Sequence, residues 1–404
     1  MLKNLLILIA KSSMAIQSTV ILLAGLLTST ASFAFVHPGI INTTSSLRAV
    51  KAKVAAGEQP WKSAFERLQH DPTGSLTYQP QADWSVIDCG PRDGTPPNPA
   101  CAVERKDARA AYSQALLWMM TGNQTYAKNA VNIMNAWANT LKQGHTNSNR
   151  ALQAAWTGAM WPKAAEIIRA TYSGWSNSDI DKFKTMLSTQ YIASINSQDT
   201  RCYFGNWLAT ISEAKMNIAI FSDNQSMYNE ALQRWRQELP AYIYLSQDGD
   251  MPKTVADCPK LHTTAQRENY WSGQKQGTFF NGQIQETCRD LEHSAYGLAA
   301  FIDMAEIARI QGTDLYKEGR QRLIAAMEFN APLDSAHPVI PDGLCSNKIS
   351  RLGGFTGTLF IGYNHYARQE KLSLPNTTRW MKSTDLSSPG RFHYAWETLT
   401  HGGL

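Results

Sequence analysis

Within the stretch GQIQETCRDLEHSAYGLAAFIDMAEIARIQGTDLY (Gly282–Tyr316), Glu286, Arg289, His293 and Tyr296 are residues of the types that acid–base chemistry needs. Read as one helix at about 100° per residue, they fall within roughly 80° of one another. Leu291, Ala295, Leu298, Ile302 and Ala305 form the opposite, apolar side. A His and a Tyr beside an Arg are the ingredients of β-elimination at a uronic acid. There the C5 proton, next to a carboxylate, leaves as the C4–O bond breaks. A cation or amide must hold the carboxylate and stabilise the developing enediolate charge. A neutral His, or a Tyr made acidic by a neighbouring cation, serves as base, and Tyr can protonate the leaving oxygen. In this reading Arg289 is the cation that makes Tyr296 a credible base. The plainer reading is an ordinary solvated helix face.

A second segment, RCYFGNWLATISEAKMNIAIF, places Asn206 and Trp207 at the mouth of another apolar helix. Asn206 is either a helix cap or an amide that holds a carboxylate, with Trp207 as a platform for a sugar ring. Trp156 and Trp161 are further stacking candidates among the 12 Trp and 15 Tyr. Thr73–Val103 and Leu245–Gln285 lack periodicity. Segments that long are more often functional than idle, and the second holds His262, Arg267, Tyr270 and Trp271 before it reaches Gln285 and Glu286.

Helical periodicity dominates the elements that must position these groups. It predicts helices over Ser46–Ala56, Lys106–Met120, Tyr126–Thr140, Leu152–Tyr172, Ser178–Thr189, Trp207–Phe221, Met227–Glu238, Leu291–Gln311, Leu315–Glu328 and Gly354–Gln369. Alternating strands are nearly absent. The pieces MTGNQTYAKNA, FSDNQSMYNEA and QGTDLYKEGRQ each join two apolar helices through a small polar turn, with a Tyr opening the second helix. Such helix hairpins build either an open solenoid or a closed toroid; no fixed period supports the solenoid.

Met1–Ala34, with Lys3 and Lys11, an apolar run and a Ser-Phe-Ala exit, reads as a secretory signal peptide. That leaves Phe35–Leu404 as the mature domain. The chain carries 38 Lys and Arg against 33 Asp and Glu; with Lys3 and Lys11 in the leader, the remainder has a formal charge of +3. This mild balance, without a basic run, excludes nucleic acid as partner. No later segment is apolar enough to cross a membrane. Six Cys in an exported chain predict disulfides, Cys89–Cys101 being the simplest pair. No Cys or His spacing suits a metal, and the chemistry above needs no cofactor.

The runs around Asn206, QETCRDLEH and YNHYARQEKLSLPNT, with VHPGIINTTSSLRAVKAKVAAGEQPWKSAF near the start, resemble the alginate lyase (α/α)-toroid superfamily. The resemblance is to the branch with Gln-Glu-x-x-Arg-Asp-x-x-His. It implies an all-α toroid with a groove that depolymerises an acidic uronate polysaccharide, alginate or glucuronan, by β-elimination, acting as a monomer. By resemblance, Asn206 and Arg289 neutralise the carboxylate, Tyr296 is the proton donor and often the base, and His293 is the His of the motif. Glu286, Gln285, Trp207, Trp156, Tyr270 and Trp271 would line the groove. The family's His after the neutralising Asn is Trp207 here, so His293 or His262 takes the base role, or Tyr296 performs both. Two other classes remain open: an inverting glycoside hydrolase, which needs a second carboxylate such as Asp248 or Asp250, and a carbohydrate-binding protein without turnover.

Overall fold

Each long apolar helix runs into a short polar turn and is followed by an outer helix packed against it. The computed structural model describes residues 34–90, 99–347, 349–383 and 390–403. The predicted leader lies outside them apart from Ala34. From Phe35 onward the chain forms a single unit. Its helices are α1 (Thr44–Ala55), α2 (Trp61–His70), α3 (Ala100–Thr121), α4 (Gln124–Thr140) and α5 (Arg150–Thr171). Next come α6 (Asn177–Met186), α7 (Ala193–Asn196), α8 (Gly205–Phe221), α9 (Gln225–Tyr242) and α10 (Thr264–Tyr270). The last are α11 (Leu291–Ile310), α12 (Leu315–Leu333), α13 (Phe360–Tyr363), α14 (Pro375–Ser383) and α15 (Glu397–Thr400). Two dipeptide strands, β1 (Ile87–Asp88) and β2 (His145–Thr146), pair in parallel.

The helices sort into two layers by burial. Nearly all of α5, α8 and α11 is buried, on every face, as expected of an inner ring. α3 packs on α5, α5 on α8 and α8 on α11, while α4, α9 and α12 cover α3, α8 and α11 from outside. This is an (α/α) toroid. The three recurrent turns join α3 to α4, α8 to α9 and α11 to α12. In each, an Asn or Asp side chain (Asn123, Asn224, Asp314) caps the outer helix, and the following Tyr126, Tyr228 or Tyr316 is buried. The short C-terminal α15 packs on α1, α2 and α13, bringing the last helix against the first two.

Several expected bounds shift. Gly354–Gln369 becomes helical only at Phe360, and Asn364–Gln369 is a wide π-helical turn. α3 begins at Ala100, inside the segment expected to be irregular, and α2, α10 and α14 were not expected. α10 buries no side chain, so it has no apolar period to read. Cys89–Cys101 forms, as do Cys202–Cys258 and Cys288–Cys345. Among the described residues no helix is long and apolar enough to cross a membrane.

Glu397 at the start of α15 is buried, and burial, reinforced by the Asp303 charge, pushes its pKa from 4.5 up to about 8. Below its ordinary value both folded and unfolded chains hold the proton. Between that value and about 8 only the folded chain does, so unfolding releases a proton and stability falls as pH rises. Asp303, raised to about 6, adds to the lower part of the same slope. Glu397→Gln is expected to flatten the fall in Tm between about pH 6 and 8, measured by thermal denaturation across that range.

Candidate active site

The four residues singled out in the sequence do come together, but not on one helix face. α11 starts at Leu291; Asp290 is its N-cap, accepting from the His293 N–H at 2.7 Å. Glu286 and Arg289 therefore lie in the turn that leads into the helix. Glu286 is fully buried and binds the start of α8: it accepts from the Asn206 backbone N–H at 3.0 Å and from Asn206 Nδ2 at 2.7 and 2.8 Å. Arg289 Nη1 donates to Glu286 Oε1 at 2.9 Å, and its guanidinium lies over the Phe204 ring, 5.0 Å from the centroid. Burial raises the Glu286 pKa against the pull of Asn206 and Arg289. Asn206 is not a cap: it lies inside α8, fully buried, with its amide engaged by Glu286.

His293 is oriented at both ring nitrogens. Nδ1 sits 2.8 Å from each Asp290 carboxylate oxygen, and Nε2 is 3.0 Å from Arg289 Nη2. A guanidinium only donates, so Nε2 is the acceptor and Nδ1 carries the proton given to Asp290. The ring centroid of Tyr296 is 5.7 Å from that of His293.

The environment of Tyr296 differs from the expectation. Its hydroxyl donates to Glu292 Oε1 at 2.7 Å, whereas Arg289 turns to Glu286 and His293. Glu292 is itself ion-paired with Arg351 and Arg391. Burial first, and then the bond to Glu292, push the Tyr296 pKa far above the usual phenol value, while Arg391 pulls it down. The phenol thus keeps its proton, which contradicts the premise that Arg289 makes it acidic. Phe392 fills the space beside it, 5.0 Å from the Tyr296 ring and stacked at 4.1 Å on Trp156. Arg105 lies over both Phe392 and Trp156 and donates to Gln153. Arg105, Lys106, Arg109, Arg391 and Phe392 line a cavity of about 250 Å³. A larger cavity of about 760 Å³, between α4 and α6, holds none of the acid–base groups.

Other expected groove residues have structural positions instead. Trp271 is 1% exposed and packs on Phe279, so it has no face to offer a sugar. Gln285 is buried, accepting from Gly205 N–H and donating to the Tyr270 carbonyl. Tyr270 stacks on Phe204 and spends its hydroxyl on the Tyr203 carbonyl. His262 lies in an exposed stretch, with its backbone N–H on Gln266, and the hydrogen bonds do not draw its ring into the His293–Tyr296 group. Trp207 and Trp156 are half-buried. Asp248, a candidate second carboxylate for a hydrolase, is locked by two bonds from Arg322 at 2.6 and 2.7 Å.

Sequence reasoning missed Glu292, Arg351, Arg391, Phe392 and Arg105. Glu292 stands four residues before Tyr296, a spacing that puts helix neighbours in contact. The others reach the site from distant segments and leave no local signal.

Three features hold the two site segments in register. Cys202–Cys258 ties the approach to α8 to the long loop, and Cys288–Cys345 ties the approach to α11 to a later turn. Tyr242 of α9 lies between the two helices. A Cβ at Gly205 would fall 2.0 Å from its ring and one at Gly297 would fall 2.1 Å from its hydroxyl, so both helices carry glycine where the ring passes.

The site thus gathers a protonated phenol, an imidazole oriented at both nitrogens and several guanidiniums around the starts of two inner helices of an (α/α) toroid. A family model described as alginate lyase matches residues 62–338. The chain belongs to the alginate lyase family, a family of polysaccharide lyases. Among curated protein sequences none matches it significantly. Among solved structures, alginate lyase A1-III from Sphingomonas species A1 superposes with a TM-score of 0.58 at 16% identity, over 90% of this chain and 97% of that one. A tyrosine-to-phenylalanine variant of A1-III complexed with a tetrasaccharide gives 0.60, also at 16% identity, over 90% and 96%. An alginate lyase from Bacteroides ovatus gives 0.55 at 13%, over 91% and 99%.

Glu286→Ala would leave the buried Asn206 amide and the Arg289 guanidinium without their acceptor. The expected cost is about 3 kcal/mol or more, with Glu286→Gln losing less because it keeps an acceptor oxygen. Urea denaturation of the two variants beside the wild type measures this.

Proposed function

We propose that the protein is an exported lyase that cleaves a uronate polysaccharide, alginate or glucuronan, by β-elimination. The observation that carries this reading is the pairing of His293, with an unprotonated Nε2, and Tyr296, which keeps its proton, between Arg289 and Arg391. Membership of the alginate lyase family and tetrasaccharide binding by variants of A1-III support the substrate class. Three disulfides support a site of action outside the reducing cytoplasm, as does the leader-like Met1–Ala34.

In the proposed reaction the uronate carboxylate meets Arg289, whose side chain is 34% exposed, and draws it away from His293. Asn206 acts through Glu286 by fixing Arg289 rather than by touching the carboxylate. Nε2 of His293, released from Arg289, takes the C5 proton. The C5–H electron pair becomes the C4=C5 double bond, the C4–O bond breaks, and its oxygen takes the proton of the Tyr296 hydroxyl. Arg391 stabilises the tyrosinate left behind, and solvent carries the proton of His293 back to it. Trp156 and Phe392 offer apolar surface to the sugar rings.

The test follows ultraviolet absorbance of the new double bond with poly-mannuronate, poly-guluronate and glucuronan as separate substrates. Wild type is expected to produce it on at least one polymer, and Tyr296→Phe to lose roughly 10²–10⁴-fold in kcat. New reducing ends without absorbance would replace elimination by hydrolysis. Undiminished turnover by Tyr296→Phe would remove Tyr296 from the proton-donor role.

A further inference from the structure

The residues at the site recur, one layer deeper, as an ionic cluster. Seven residues after Trp156, Asn206 and Tyr296 come Lys163, Glu213 and Asp303, on the same faces of α5, α8 and α11. Lys163 is 2% exposed; its ammonium lies 2.7 Å from Asp303 Oδ2, 3.0 Å from Glu213 Oε1 and 2.7 Å from the His393 carbonyl oxygen. His393 also contacts Glu213, Nδ1 to Oε2 at 2.7 Å. Glu213, Asp303 and His393 are grouped closely enough to ligate a metal ion. Lys163 already supplies the cation there, with three oxygen partners, so this is an ammonium site.

Two of these contacts are to the C-terminal segment and not to a helix. His393 follows Arg391 and Phe392, which meet Glu292, Tyr296 and Trp156 in the layer above. The segment is too short for a helix of its own: Arg391 and Tyr394 close a tight turn on each other, with backbone bonds of 2.8 and 2.9 Å. A turn of that kind has little intrinsic stability, so its place depends on what grips it.

We propose that Lys163 is a positioning residue: with Glu213 and Asp303 it clamps His393 and so sets Arg391 and Phe392 against Tyr296. Lys163 touches no substrate and acts through the turn. Its part in turnover rests on the lyase reading above, whereas its grip on the turn does not.

The experiment compares wild type with Lys163→Met and with His393→Ala, which reaches the clamp from the turn and leaves the three helices unaltered should Lys163→Met fail to fold. Hydrogen exchange of the free protein is expected to rise at least ~10-fold for amides of residues 390–396 in both variants, and in His393→Ala with α5 and α11 unchanged. On the polymer that wild type cleaves, kcat is expected to fall roughly 100-fold. In an Arg391→Ala, Phe392→Ala background the same substitution should cost less than about 3-fold more, because the groups it positions are gone. Unchanged exchange over 390–396, or losses that multiply in full, would overturn the clamp. If wild type cleaves no uronate polymer, the lyase reading falls and the exchange result alone decides whether Lys163 holds the turn.

Discussion

A helix buried on all sides cannot leave a charged side chain to water, and this constraint organises the toroid. The inner helices nonetheless carry Glu104, Lys163, Glu213 and Asp303, each fully or almost fully buried. Each must find its counter-charge or hydrogen bonds inside the protein. Glu104 takes them from His145, Gln153, Thr157 and Tyr191. In doing so it fastens α3 to α5 and to the segments outside them. Glu286 does the same between α8 and the approach to α11. The polar groups of the interior therefore act as tie points between elements that apolar packing alone would leave free to slide.

The proposed acid–base groups sit where such tie points meet the starts of α8 and α11. Asp290, Glu286 and Glu292 are three carboxylates within seven residues, and each has a separate cationic or polar partner. Asp290 orients His293, Glu286 holds Arg289 beside Asn206, and Glu292 gathers Tyr296, Arg351 and Arg391. The guanidiniums stay in place, and Arg289 and Arg391 retain about a third of their side-chain surface for a ligand.

The helix hairpins were legible because their signals are local. Asn123, Asn224 and Asp314 cap the helices that follow them, and the buried Tyr126, Tyr228 and Tyr316 come within two residues of the first turn. The identities of His293, Arg289 and Tyr296 as neighbours were legible from spacing alone. Their relations were not: the helix was expected from Leu291, yet Glu286 and Arg289 were read as lying on its face, and the turn they occupy carries Arg289 to Glu286 and away from Tyr296. Arg391 and Phe392 approach from about a hundred residues downstream, where no periodicity marks them. Trp271 and Tyr270 illustrate the converse error: aromatic residues in a long loop suggest a sugar platform, yet the loop uses them as its own small core. Two of the three disulfides join segments 56 and 57 residues apart, separations that composition cannot pair.

Asp290 has two duties with one carboxylate. It closes the first turn of α11 and it sets the tautomer of His293. The side chains that could serve both duties are consequently fewer than either duty would admit by itself. Serine, threonine or asparagine would cap the helix, but none brings the negative charge that holds a proton on Nδ1. Glutamate brings the charge but is a poor cap, with its oxygens one carbon too far out. The start of the helix and the state of the imidazole thus hang on one side chain, and a substitution that merely made a sturdier helix would leave the ring without its partner.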